Sequence, residues 1–193
     1  MTTAPHLHAS DDPEFVRVPA VTYASIAGSG SPGTDEFYRK MALLGDVARQ
    51  ITGDKGPVIE IQYWYPEGST PVEIGDFYTV NPVPSLIYRV LAAIPDTTTI
   101  EDLTAVRVRA ASSADRNNDA IELHTTPEQD VVQVMHHGPF SEEFATLERL
   151  GALAQKRRVH RSGPHLEIHL DGFTRQTPQD RLRTILRDPV AAD

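Results

Sequence analysis

The chain has 193 residues, 27 acidic against 18 basic side chains, and a formal net charge of −9. That balance argues against a nucleic-acid-binding surface, which needs clustered Lys and Arg, and more weakly against an anionic membrane surface. Cys is absent, which excludes disulfides, thiolate metal sites and thiol chemistry, while 39% hydrophobic residues suffice for one packed domain.

No apolar run reaches the roughly 20 residues of a membrane span, and residues 1–13 hold no apolar stretch of the signal-peptide kind. The expectation is a cytoplasmic protein with a flexible tail over residues 1–13 and a single domain over 14–193. Residues 15–26 read as a strand, with Val16, Val18, Val21, Tyr23 and Ile26 in it. The cluster Gly28-Ser29-Gly30-Ser31-Pro32-Gly33 is a turn and lacks the Lys-Ser/Thr of a phosphate-binding loop. Thr34 or Asp35 can cap a helix to about residue 52, in which Phe37, Met41, Leu44 and Ala48 recur at helical spacing. Residues 58–65 are a strand, 77–80 a short apolar piece, and 86–94 a further strand.

Thr98 or Thr99 then caps a helix to about residue 111. The polar stretch 112–119 is the best boundary between two halves, about 14–112 and 119–190. Residues 120–125 and 130–137 are strand-like, with Pro127 between them. Ser141 can cap a helix over 142–158 whose apolar stripe is Phe144, Leu147, Leu150, Leu153 and Ala154. Strands over 165–170 and 181–186 complete the chain.

The two halves repeat. Gly56-Pro57-Val58-Ile59-Glu60-Ile61 matches Gly163-Pro164-His165-Leu166-Glu167-Ile168 at an offset of 163 − 56 = 107, and Glu36-Phe37 matches Glu143-Phe144 at the same offset. Each half therefore reads strand, helix, strand, strand. Residues two apart on a strand share a face. Leu166, Ile168 and Leu170 form an apolar face expected against the helices, leaving His165, Glu167 and His169 on the other. In the first copy Ile59, Ile61 and Tyr63 form the apolar face, leaving Glu60, Gln62 and Trp64 opposite. If the halves pair about a pseudo-two-fold axis, Glu60 and Glu167 approach one central cleft. There they attract a cation, or burial and mutual repulsion raise one pKa and leave a proton donor near neutral pH. His165, Glu167 and His169 are also possible zinc ligands. Neighbouring same-face residues of one strand rarely converge on an ion, so a polar cleft wall is the better reading and no metal or other cofactor is expected.

The second half resembles the GyrI-like small-molecule-binding proteins. The stretches that carry this are Val132 through His136-His137-Gly138-Pro139-Phe140, then His165-Leu166-Glu167-Ile168-His169-Leu170, then the closing run to Pro189-Val190. The first half fits through Tyr23, Gly30, Pro32, Phe37, Ile59-Glu60 and Tyr63-Trp64. The resemblance implies an α+β fold of two pseudo-symmetric modules around a central cleft, the effector-binding fold of regulatory factors. It also implies that Glu167 engages cationic, aromatic ligands. Departures fall in the aromatic residues: His169 replaces a tyrosine, Gly45 a first-helix tyrosine and Tyr88 a tryptophan of the members that hydrolyse cyclopropane-bearing toxins.

The leading expectation is a standalone protein that binds a hydrophobic, aromatic or cationic drug or toxin. Glu60 and Glu167 supply charge, Trp64 and Tyr88 stacking surface, and Gln62, His165 and His169 the polar wall. The alternative is a hydrolase of strained electrophilic toxins with Glu167 or Glu60 as general acid or base. A protein partner is a third option. Direct nucleic-acid binding and membrane binding are not expected.

Overall fold

Pro19-Ala20 and Pro127-Glu128 are two-residue corners, and each separates consecutive strands that pair elsewhere. The computed structural model describes residues 5–53, 56–110 and 119–192. Its strands are β1 (Glu14–Val18), β2 (Val21–Ser29), β3 (Ile59–Trp64), β4 (Ile87–Ala93), β5 (Glu122–Thr126), β6 (Gln129–His137), β7 (Val159–Arg161), β8 (His165–His169) and β9 (Arg183–Ala192). Its helices are α1 (Asp35–Thr52), α2 (Ile100–Ala110) and α3 (Glu143–Arg157). The strands pair antiparallel in the order β1-β6-β9-β8-β3-β4-β2-β5, and β7 adds to β9. In a flat sheet β1 and β2 would lie about 30 Å apart, yet two residues join them and reach only about 10 Å. The sheet therefore curls until its ends approach. This is the α+β architecture expected from the sequence.

Local chemistry explains the elements. Thr34 caps α1 by accepting the Phe37 N–H at 3.2 Å, Asp35 and Glu36 suit the positive end of its dipole, and Gly53 in the left-handed region closes it. The main core lies between the helices and one sheet face. It includes Ala24, Ile26, Phe37, Leu44, Ile61, Tyr63, Tyr88, Val90, Leu147 and Leu186. Gly28 is needed there: a Cβ would fall 2.3–2.5 Å from the Tyr88 ring and hydroxyl.

Several expectations are corrected. The strand read over 15–26 is two strands, because Pro19 cannot donate to a ladder and turns the chain. Of the tail expected over residues 1–13, residues 1–4 lie outside the described residues, and 5–13 are held against the sheet. Leu7 and Ala9 cover a second apolar cluster on the opposite sheet face, made of Tyr23, Leu91, Leu166, Ile168 and Ile185. Leu166 and Ile168 thus pack under this N-terminal strap and not against the helices. α3 begins one residue later than expected, after a 3-10 turn at Phe140–Glu142, and Ser141 does not cap it. Its buried stripe is Glu143, Thr146, Leu147, Leu150 and Ala154, while Phe144 is 43% exposed. β7 was not anticipated, and β9 runs on to Ala192. Of the stretch 112–119 read as a boundary, only Asp119 lies within the described residues; it pairs with Arg39 and Lys40 of α1.

Candidate functional site

The pseudo-symmetry is real but its spacing is not the one the letters show. Phe37, Met41, Leu44 and Ala48 on α1 occupy the places of Glu143, Leu147, Leu150 and Ala154 on α3, a shift of 143 − 37 = 106. In the β3–β8 ladder Ile61 pairs with Glu167, again 106 apart, so the two-fold passes through that pair. The similar hexapeptides are out of step with the fold by one residue. A one-residue slip moves every side chain of a strand to the other face.

Glu60 and Glu167 consequently face opposite sides of the sheet, and the shared two-glutamate cleft does not form. Glu60 is 0% exposed beneath the N-terminal strap, where it accepts the Tyr23 hydroxyl at 3.0 Å and sits 3.1 Å from His6 Nε2. Gln62 and Trp64 share that face. The Trp64 ring is stacked by Arg89 at 5.7 Å, and Gln62 Oε1 is buried without a partner. Tyr88 is on the helix side but serves the core, edge-on to Phe37 at 5.3 Å. His165 and His169 stay with Glu167.

Around Glu167 the second half places polar groups where the first half has apolar ones. The matched pairs are Ile61 with Glu167, Ile59 with His165, Tyr63 with His169, and Phe37 with Glu143. The Tyr78 hydroxyl, from the irregular segment before β4, donates to Glu167 Oε1 at 2.5 Å. His169 Nε2 lies 3.3 Å from Glu167 Oε2 without an aligned hydrogen bond. His165 Nδ1 is 2.9 Å from Asp188 Oδ2, and both side chains are fully buried. Phe77 and Tyr78 close over the His165 ring at 4.9 and 5.8 Å.

The electrostatics divide the two carboxyls. Burial, reinforced by the neighbouring Glu167 charge, pushes Glu143 well above the ordinary carboxylate range. Burial also works to raise Glu167, but His169, His165 and the Tyr78 hydroxyl outweigh it and hold its carboxyl below that range. The two carboxyls are thus pushed in opposite directions, Glu143 toward its protonated form and Glu167 toward its carboxylate, the split expected of two titratable groups with separate tasks. The second carboxyl is Glu143, not Glu60. Its signal was present: it lies four residues before Leu147 and seven before Leu150, on the stripe that α3 buries. Asp188 was missed because β9 was ended too early, and Tyr78 because its segment has no periodicity.

Beside this cluster runs a cleft of about 740 Å³, lined among others by Tyr38, Gly45, Ile59, His169, Phe173 and Arg175. Its volume suits a drug-sized molecule. The His169 ring is packed by Phe173 at 4.7 Å and by Phe140 at 5.4 Å, so the cleft end nearest Glu167 is aromatic. Among the described residues, no group of three or more His, Asp or Glu is arranged to hold a metal ion. Among them too, no helix is long and apolar enough to cross a membrane.

The family model of the GyrI-like small molecule binding domain matches residues 11–190. The chain belongs to that family. A solved structure of an uncharacterized conserved protein from Listeria innocua is similar to this chain at 24% identity and TM-score 0.78, with 96% of this chain and 95% of that one covered. A structure described as a hydrolase from Listeria innocua matches at 20% identity and TM-score 0.72 over the same shares. That of SAV2435 bound to tetraphenylphosphonium matches at 13% identity and TM-score 0.50, covering 93% and 94%. No curated protein sequence matches the chain.

Proposed function

We propose that this GyrI-like protein binds a lipophilic, aromatic cation of the drug or toxin kind, anchored by Glu167. The observation that carries this reading is a buried carboxylate behind His169, which lines the aromatic end of a drug-sized cleft, in a half whose matched position is Ile61. His169 lines the cleft and separates it from Glu167, while Tyr78 covers the other carboxylate oxygen. A ligand reaches the anchor by displacing one of these side chains. The tetraphenylphosphonium held by SAV2435 is of the same chemical class. Calorimetric titration with tetraphenylphosphonium tests the reading: the expected result is stoichiometric binding that Glu167→Gln weakens by about tenfold or more. Binding untouched by that substitution sinks it.

A second reading is supported by the divided carboxyls. In hydrolysis of a cyclopropane conjugated to a carbonyl, Glu167 takes a proton from water as the water oxygen bonds to a ring carbon. The strained C–C bond breaks, its electrons pass to the carbonyl oxygen, and Glu143 donates the proton that oxygen needs. The net change is addition of water, and a proton passing from Glu167 to Glu143 resets the pair. The name of the Listeria hydrolase agrees with such chemistry. Mass spectrometry of a cyclopropane-bearing alkylating agent separates the readings. Turnover lost in both Glu143→Gln and Glu167→Gln supports hydrolysis, and unchanged ligand supports binding alone.

A further inference from the structure

The His165–Asp188 pair has a counterpart in the other half that carries no charge. Ile59 pairs with Ala92 across the β3–β4 ladder, and these occupy the places of His165 and Asp188. The fold thus closes this position with two apolar residues in one half and a fully buried ion pair in the other. Buried ion pairs are weak sources of stability, because desolvation offsets their attraction. A pair kept where the same architecture accepts Ile and Ala points to a task other than folding.

We propose that Asp188 is a positioning residue for Glu167: it holds His165 as a cation under the Phe77–Tyr78 segment, and that cation in turn holds the Glu167 carboxylate ready for its ligand. The Asp188 side chain is fully buried. It acts through His165 Nδ1 at 2.9 Å, and His165 lies two residues from Glu167 on the same strand face. Burial works against the imidazolium, but Asp188 first and then Glu167 overcome it and raise the His165 pKa. The groups facing Glu167 are His165 and His169 from β8, Tyr63 from β3, Tyr78 from the segment before β4, and Glu143 from α3. Arg161 of β7 opposes the charge on His165, so the carboxylate of Asp188 is what offsets both burial and that arginine. Without Asp188 the imidazole becomes neutral, and Glu167 loses the neighbouring cation that His165 supplies.

The proposal rests on Glu167 as the anchor of the cleft, and its test reads Glu167 directly. The side-chain carboxyls of glutamate are ¹³C-labelled, Glu167 is identified by its loss in Glu167→Gln, and its midpoint is followed in wild type, Asp188→Asn and the double variant His165→Ile/Asp188→Ala. The double variant copies the residues of the matched half and is expected to fold. Both should raise the Glu167 midpoint by on the order of one pH unit. The acid limb of tetraphenylphosphonium binding should move by the same amount, with affinity near wild type at pH 8.5. An unmoved midpoint in a folded variant overturns the proposal, as does a failure of both variants to fold, which would give the pair a structural role. If the wild type takes up no tetraphenylphosphonium at any pH, the ligand reading fails while the midpoint still decides the role of Asp188.

Discussion

Ile61 pairs with Glu167 across the β3–β8 ladder, and this alone turns Glu60 to the other face. The two glutamates of the repeated hexapeptide therefore respond differently to the same change. Glu60→Gln weakens the contacts with Tyr23 and His6 under the strap and should cost about 1–2 kcal/mol. It should leave tetraphenylphosphonium affinity within about twofold of wild type. Glu167→Gln should abolish most of the affinity. Parallel urea denaturation and calorimetric titration check both; equal losses of affinity would place the two carboxyls in one site after all.

Glu143 makes stability depend on pH in a definite direction. Its folded pKa is raised, so the native state holds the proton more tightly than the unfolded chain. Its contribution is then fully present below the ordinary carboxylate range and is lost as pH rises toward its folded value. Glu143→Gln keeps a neutral side chain at every pH. The variant should lose less stability than wild type between pH 5 and pH 8, and should melt a few degrees higher at pH 8, where about 1 kcal/mol is at stake. Thermal melts at the two pH values, with and without the substitution, measure this.

Tyr78 donates to Glu167 Oε1, one of the two carboxylate oxygens that a bound cation can approach. Tyr78→Phe removes a hydrogen bond to a buried carboxylate and should lower stability by about 1–3 kcal/mol. It also removes a competitor. Tetraphenylphosphonium should bind the variant more tightly than wild type, and a fall in affinity would show that Tyr78 helps the ligand instead.

Gly45 is buried on the cleft side of α1, yet a Cβ there would meet nothing within 4 Å. Gly45→Ala should stabilise α1 by up to about 1 kcal/mol, the usual cost of Gly inside a helix. Gly45→Phe should fold but project its ring into the cleft, cutting affinity while Tm stays near wild type. Melting curves and titration of both variants distinguish occupation of the cleft from damage to the helix.

Much of this was legible in the letters. The caps and apolar spacing of α1, the strands β3, β4, β6 and β8, and the two-fold repeat follow from side-chain chemistry near each residue. The expectation placed on Glu167 came through the family resemblance. What was not legible is long-range register. The hexapeptides align at 107 while the helices and central strands superpose at 106, and the hexapeptides themselves do not tell which spacing the fold obeys. The α3 stripe held the answer in principle, since Glu143, Leu147, Leu150 and Ala154 repeat the pattern of Phe37, Met41, Leu44 and Ala48. A charged residue at the head of the stripe made Phe144 look the better core candidate. The strap was misread for a related reason: its sequence is polar, and the groups that hold it, Gln133 and Arg187, bond to the backbone carbonyls of His8 and His6 at 3.0 and 2.7 Å.

The proline corners have a consequence for the integrity of the molecule. β1 opens the first half but pairs with β6 of the second, and β5 opens the second half but pairs with β2 of the first. Each half lends its outermost strand to the other, in the manner of two hands with interlaced fingers. A backbone cut between residues 110 and 119 would not release two autonomous pieces, because either fragment would lack an edge strand and expose the one it was lent to. The halves should unfold together and re-form only as a complex of both fragments, so a duplicated chain has become a single cooperative unit.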